Sequence, residues 1–245
     1  SLCQQGKNFS NKVWNSFRLI SSWTVSDEID QSEHSKAGVE WFEQKFHLKL
    51  TEIEDHFDKY RISDALMTIY KLVWDDLCSW YLEIVKPGFE KPIDRTTYNQ
   101  TISFFKKCMT VMHPFMPFIT EEIWSKIKSD VEPPLIISDW PKSKKVNISI
   151  INEFESLTDL ISSIRKYRKG KSISFKENLI LFSKVSLDNK ADAILLKLAN
   201  TEIRNDFSGK QENSSSFIVG SLEFHFNNKT NEKEDFSKVL EKIEL

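Results

Sequence analysis

The side chains of this chain with the most chemical potential are cations. Arg165-Lys166-Tyr167-Arg168-Lys169-Gly170-Lys171 carries five basic residues in seven positions and no acid. Such a run concentrates positive potential and suits phosphate oxygens, although runs like it also occur as plain solvated faces. On a helix Arg165, Arg168 and Lys169 share one side. Ile161 and Ile164 then point to the core, and Gly170 ends the helix so that Lys171 turns back toward the same patch. A second grouping is Asn8, Asn11 and Asn15 on one helix face, with Lys7, Lys12 and Arg18 beside them. Amides interleaved with cations fit the phosphates and sugars of a nucleic-acid backbone, and capping or surface polarity explains part of the pattern equally.

Other chemistries find little support. Gly170-Lys171-Ser172 has the form of a phosphate-loop ending, but that loop needs a glycine where Arg165 stands, and no strand precedes it. No GxSxG, HExxH or GxGxxG run occurs. Asp75-Asp76 and Glu121-Glu122 are neighbours that point apart on a helix, so both pairs read as solvated. His113, just before Pro114, reads as a structural histidine at a helix end. Cys3, Cys78 and Cys108 are far apart and lack zinc spacing, which suggests reduced thiols in a cytosolic setting. No apolar run approaches the ~20 residues of a membrane span, and the polar start of the chain does not read as a signal peptide. No catalytic, cofactor or metal residues are expected.

The elements that must position the cations follow from periodicity. The 245 residues include 7 Trp and 18 Phe, enough for a sizeable core, with only 6 Gly and 7 Pro and a net charge of −2. Phe9, Val13, Phe17 and Ile20 mark one helix. Val39, Phe42, Phe46, Leu50, Ile53 and Phe57 mark a long second one. Leu66, Ile69, Val73, Leu77, Trp80 and Ile84 mark a third, with Ser63 as its cap and Pro87-Gly88 as its end. Trp74 and Trp80 are expected in the core. Asp94 opens a fourth helix through Tyr98, Ile102, Phe105 and Met109, which His113-Pro114 stops. Pro117 starts a fifth. Every Trp lies at or before Trp140, and a polar stretch follows, which places a boundary at about 141–147. Beyond it the chain is mixed. A helix is expected over 152–169, a strand at Leu179–Phe182, a helix at Ala191–Ala199 and a single strand from Phe217 to Phe226. A charged, periodic helix is expected from Glu234 to Leu245.

Three ordered segments carry a resemblance. Gly6-Lys7-Asn8-Phe9-Ser10-Asn11-Lys12-Val13-Trp14-Asn15 resembles the opening of the anticodon-binding domain shared by the valine, isoleucine and leucine aminoacyl-tRNA synthetases, which are class I enzymes. Tyr70-Lys71-Leu72-Val73-Trp74 with Leu77-Cys78-Ser79-Trp80-Tyr81-Leu82-Glu83 is similar to a helix of that domain. His113-Pro114-Phe115-Met116-Pro117-Phe118-Ile119-Thr120-Glu121-Glu122-Ile123-Trp124 resembles its closing segment. Cys-x-Trp-Tyr-Leu-Glu followed by Lys86-Pro87 fits the valyl-tRNA synthetase form best, with Ser79 in place of the usual Asp. Ile164-Arg165-Lys166-Tyr167-Arg168 resembles a helix that follows the bundle in that family.

The resemblance implies a mainly α fold. A helical-bundle anticodon-binding domain spans 1–145, a small α/β domain spans 146–231, and the start of a coiled-coil arm spans 232–245. It implies binding of tRNA(Val), and an upstream catalytic domain of the same polypeptide that joins valine to the tRNA with ATP and magnesium. The HIGH- and KMSKS-type signatures of that domain are not in this sequence, so no ATP-dependent activation is expected from this chain, which is expected to be monomeric, cytoplasmic and without contact with a membrane. Tyr60 beside Arg61, and Lys45 and Lys49 one turn apart, fall near the family's anticodon contacts. Tyr60 and Arg61 equally suit the closing of a helix joint, and lysines favour any exposed face. The isoleucine and leucine enzymes, or a helical protein–protein module, remain as alternatives.

Overall fold

The computed structural model describes residues 2–183, 188–204, 214–219 and 222–227, the last two segments by their backbone. The helix expected from Glu234, and with it the arm at 232–245, lies outside the described residues. The chain divides into two compact units, Ser1–Asn152 and Glu153–Leu245. The division falls beyond 141–147 because that stretch packs on the first unit: Lys144 pairs with Glu43 at 3.1 Å, and the Asn147 amide donates to Gln44 at 2.9 Å.

The first unit is a helical bundle of α1 (Leu2–Ser21), α2 (Glu33–Asp58), α3 (Ile62–Lys71), a π-helical segment (Leu72–Tyr81), α4 (Leu82–Val85), α5 (Arg95–Met112) and α6 (Pro117–Ile127). Two short strands, β1 (Val25–Ser26) and β2 (Ile93–Asp94), pair in parallel. Phe9, Val13, Phe17 and Ile20 are buried as their spacing requires, and so are Val39, Phe42, Phe46, Leu50 and Ile53. The centre is aromatic: Phe42, Tyr81 and Phe104 lie 4.9–5.5 Å apart, ring to ring. Tyr81 and Thr101 share a buried hydroxyl contact of 2.8 Å, and Thr101 donates to the Thr97 carbonyl. Asp94 caps α5 by accepting from the Thr97 amide. His113 is the helix-end residue expected, with Nδ1 2.8 Å from the Thr120 hydroxyl.

The third helix differs from its α-helical reading. Arg61, not Ser63, stands at its cap position, and no side chain caps it. The segment Leu72–Tyr81 is π-helical, so its buried residues recur at five: Leu72, Leu77 and Leu82, and beside them Val73 and Cys78. Ile69, Val73, Leu77 and Ile84 of the expected stripe are buried as well, and so is Tyr81. Trp74 and Trp80 are both half-buried, and Leu66 is exposed. Neither carboxylate pair is fully solvated. Asp76 is half-buried, as is Glu121, which accepts from the Leu135 amide at 3.1 Å.

In the second unit α7 (Ile148–Gly170) buries Phe154, Leu157, Ile161 and Ile164. A sheet follows, in the order β4 (Thr201–Arg204), β3 (Leu179–Ser183), β6 (Leu222–Asn227) and β5 (Ser214–Val219). The strands β3 and β4 are parallel, joined by α8 (Asn189–Ala199), whose start Asp188 caps. The single strand read over 217–226 is two antiparallel strands, Val219 facing Leu222. The observed fold class is mainly α, a bundle followed by a small α/β unit.

Candidate nucleic-acid interface

The joint between α2 and α3 is built as a helix stop. The Tyr60 amide donates to the Phe57 carbonyl at 3.0 Å and the Arg61 amide to the His56 carbonyl at 2.8 Å. This bonding is a Schellman cap, with Tyr60 at the left-handed position. Tyr60 has φ of 56°, a conformation that suits glycine and costs a side-chain-bearing residue about 1–2 kcal/mol. Its ring is nonetheless 89% exposed, so no packing compensates. Beside it Arg61 donates to Asp55 at 2.7 Å, and Lys59 reaches the same carboxylate. The hydrogen bond from Lys59 holds the Asp55 carboxyl below its ordinary pKa, with further lowering by the charges of Lys59 and Arg61.

Lys45 and Lys49 are half-buried on α2, and Lys49 pairs with Glu52 at 2.7 Å. At 1.5 Å per residue, Lys49 stands roughly 16 Å along the axis from Tyr60. The two lysines and the joint therefore do not form one cluster.

On α1 the residues Lys7, Asn8, Asn11, Asn15 and Arg18 are all exposed. Lys12 lies over the Trp74 ring at 5.7 Å, and that ring stacks on Tyr70 at 5.6 Å. A polar, cationic face with half-exposed aromatics beside it is thus present on α1.

The basic run divides. Lys169 and Lys171 are exposed. Arg165 is exposed too, yet its guanidinium donates to the Leu198 carbonyl at 3.1 Å. Arg168 is corrected as a phosphate-contacting residue, because it is buried. Its Nη1 donates to the Ser174 carbonyl at 2.7 Å, and its Nη2 to the carbonyls of Glu177 and Asn200 at 2.9 and 2.8 Å. Burial draws its pKa below the usual guanidinium value. α7 ends at Gly170, as the sequence predicts, and the left-handed residue of the stop comes two positions later. Ser172 takes that position with φ of 56°, and the Ser172 and Ile173 amides donate to Lys169 and Arg168. The face shared by 165, 168 and 169 is therefore half structural.

A cleft of about 490 Å³ between α2, α5, α6 and the stretch 139–144 escaped the sequence reading. Lys106, Lys107, Lys142 and Lys144 line it, with His47 in its wall. These residues come from three distant places in the sequence, so no run announces them. The one local signal is the Lys106-Lys107 pair.

No helix among the described residues is long and apolar enough to cross a membrane, and no group of His, Cys, Asp or Glu among them is arranged to hold a metal.

The family model described as the anticodon-binding domain of tRNA ligase matches residues 39–183. A valine–tRNA ligase of Christiangramia forsetii is 44% identical over 227 residues, 91% of this chain and 26% of the relative. One of Parabacteroides distasonis is 37% identical over 246 residues, covering 99% and 28%, and one of Porphyromonas gingivalis is 41% identical over 226 residues, covering 91% and 26%. The chain spans about a quarter of the length of these relatives. Matched by that family model over more than half of its length and by these relatives over nine-tenths of it or more, this chain belongs to the family of tRNA-ligase anticodon-binding domains.

Proposed function

We propose that this chain is the tRNA-binding part of a valine–tRNA ligase and that its partner is tRNA(Val). The observation that carries the reading is Tyr60: a solvent-facing ring held in a left-handed conformation at the end of α2, next to Arg61. Backbone strain with no packing return collects where a side chain is needed for contact. Anticodon bases are single-stranded and stack on aromatic rings and guanidinium planes. Arg61 can swing to a base because Asp55 keeps Lys59 when it leaves. Lys45, Lys49, Lys12 and Arg18 then meet the backbone of the same RNA in the first unit. Lys169, Lys171 and Arg165 meet phosphates away from the anticodon. The division into an anticodon-reading bundle over 1–145, an α/β domain over 146–231 and an arm over 232–245 belongs to this reading.

The joining of valine to the tRNA with ATP and magnesium is assigned to a catalytic domain of the same cytoplasmic polypeptide. The contribution of this chain is binding. Filter retention of tRNA(Val) transcript tests the reading, beside the same transcript with a methionine anticodon. Tighter retention of the valine form, about tenfold or more, is expected, together with a steep loss on adding salt. Equal retention of both forms, or none of either, overturns the reading.

A further inference from the structure

The cleft lined by Lys106, Lys107, Lys142 and Lys144 has no part in the reading above, and its charges are unevenly matched. Lys106 binds Glu132 and lies over the Trp124 ring at 5.6 Å. Lys144 binds Glu43 from a largely exposed position. Lys107 is half-buried and lies over two rings, Phe104 at 5.4 Å and Phe46 at 5.8 Å, with the Glu43 carboxylate near enough to act on its charge without pairing with it. Neither Lys107 nor Lys142 has an ion-pair partner among the described residues. Asp139 and Glu132 are the acids of the lining, and Glu132 is already held by Lys106 and by the Ser129 amide.

Next to these cations stands an unsatisfied polar group. His47 is 97% buried, since its exposure is 3%, and neither ring nitrogen has a hydrogen-bond partner. Glu43 lies 3.9 Å from Nε2, too far for a hydrogen bond. A buried donor left unpaired costs about 1–3 kcal/mol, so an unpaired ring in the wall of a cationic cleft calls for an acceptor from outside.

We propose that this cleft is a phosphate-binding site, separate from the helix joint and from α1. A phosphate oxygen supplies the counter-ion that Lys107 and Lys142 lack and the acceptor that the His47 N–H lacks. His47 is two positions from both Lys45 and Lys49, which sets it about 180° around α2 from the midpoint of that pair. The cleft thus lies on the other flank of the helix from those lysines. The phosphate comes from the backbone of a bound RNA or from a free polyphosphate. The RNA source rests on the tRNA-binding reading, whereas the site itself does not.

The test has two arms on the full 245-residue chain. Titration with sodium tripolyphosphate is followed by the NMR signals of the His47 ring. A saturable shift is expected, weakened about tenfold or more in Lys107→Gln and unaffected by Lys45→Gln with Lys49→Gln. The second arm measures the salt dependence of tRNA retention in a Lys107→Gln, Lys142→Gln double variant. A slope lower by roughly two, one per phosphate contact, assigns the site to RNA backbone. An unchanged slope with tripolyphosphate still bound assigns it to a free polyphosphate. No saturable shift in the wild-type chain together with an unchanged slope overturns the proposal. Should wild-type chain retain no tRNA at all, the tRNA reading fails, and the titration alone decides the cleft. The wild-type titration also stands if a variant fails to fold.

Discussion

At the scale of single residues, Tyr60 and His47 carry the sharpest consequences. Tyr60 holds a left-handed backbone with almost no side-chain contact, so Tyr60→Gly relieves strain and removes only a ring. The variant is expected to be more stable by about 1 kcal/mol. It is also expected to bind tRNA more weakly by about 1–3 kcal/mol, the worth of one stacked base. Thermal melts and filter binding on the same variant separate the two effects. A melting temperature that falls instead would show the ring to be packing. His47 is held below its ordinary pKa by burial first, then by the charges of Lys107 and Lys144, while Glu43 works the other way. A lowered folded-state pKa means that the unfolded chain binds the proton more readily. The stability linked to His47 is therefore full above about pH 6.5 and is lost as the pH falls through the lowered value. Melting temperature is expected to drop more steeply from about pH 7.5 to about pH 5.5 in the wild type than in His47→Gln. Parallel profiles would remove His47 from the account.

At the scale of elements, the ends of α7 and α8 are joined through arginine. Arg165 reaches Leu198 and Arg168 reaches Asn200, so both guanidinium groups meet carbonyls at the C-terminal end of α8. The last turn of a helix leaves carbonyls unpaired and carries negative potential, which is why a cation settles there. Arg168→Met takes a donor from three carbonyls, of which Ser174 and Asn200 keep the amides of Glu177 and Leu179, and is expected to cost about 1–3 kcal/mol, with no change in the salt slope of tRNA binding. A flattened slope with unchanged stability would return Arg168 to the RNA-facing set. The π-helical segment shows a second element-scale effect. Its sequence can be read at the 3.6-residue period, and Val73, Leu77 and Ile84 of that stripe are buried, but Leu72, Leu77 and Leu82 are buried at a recurrence of five and Trp80 on the stripe is only half-buried. Both periods are available in Leu72–Leu82, and the local pattern does not choose between them. The packing of Tyr81 against Phe42 and Phe104 does.

At the scale of the molecule, the two units offer cations of different kinds. On the proposed function, exposed Lys169 and Lys171 in the second unit are expected to contribute to tRNA binding without reading sequence. Replacing both with Gln is expected to lower the salt slope by roughly two for tRNA of any anticodon. Discrimination between anticodons is expected to survive, which the paired transcripts measure directly. Loss of discrimination in that variant would place anticodon reading in the second unit.

Much of this is legible in the sequence alone. Helices α1, α2, α5, α6, α7 and α8 follow from apolar spacing, Asp94 from its capping chemistry and the family from three ordered segments. These features are local, because a helix repeats every few residues and a cap acts within one turn. Burial of a cation is not local. Arg168 and Lys169 are adjacent and chemically alike, yet one lies inside and the other outside, because the carbonyls that receive Arg168 arrive from residues 174, 177 and 200. The same holds for the cleft, whose lysines come from α5 and from the stretch 139–144 and whose unpaired histidine comes from α2. Composition and spacing determined which elements form and what family they build. Only tertiary structure decided which charges face solvent, since that depends on partners brought together from far along the chain.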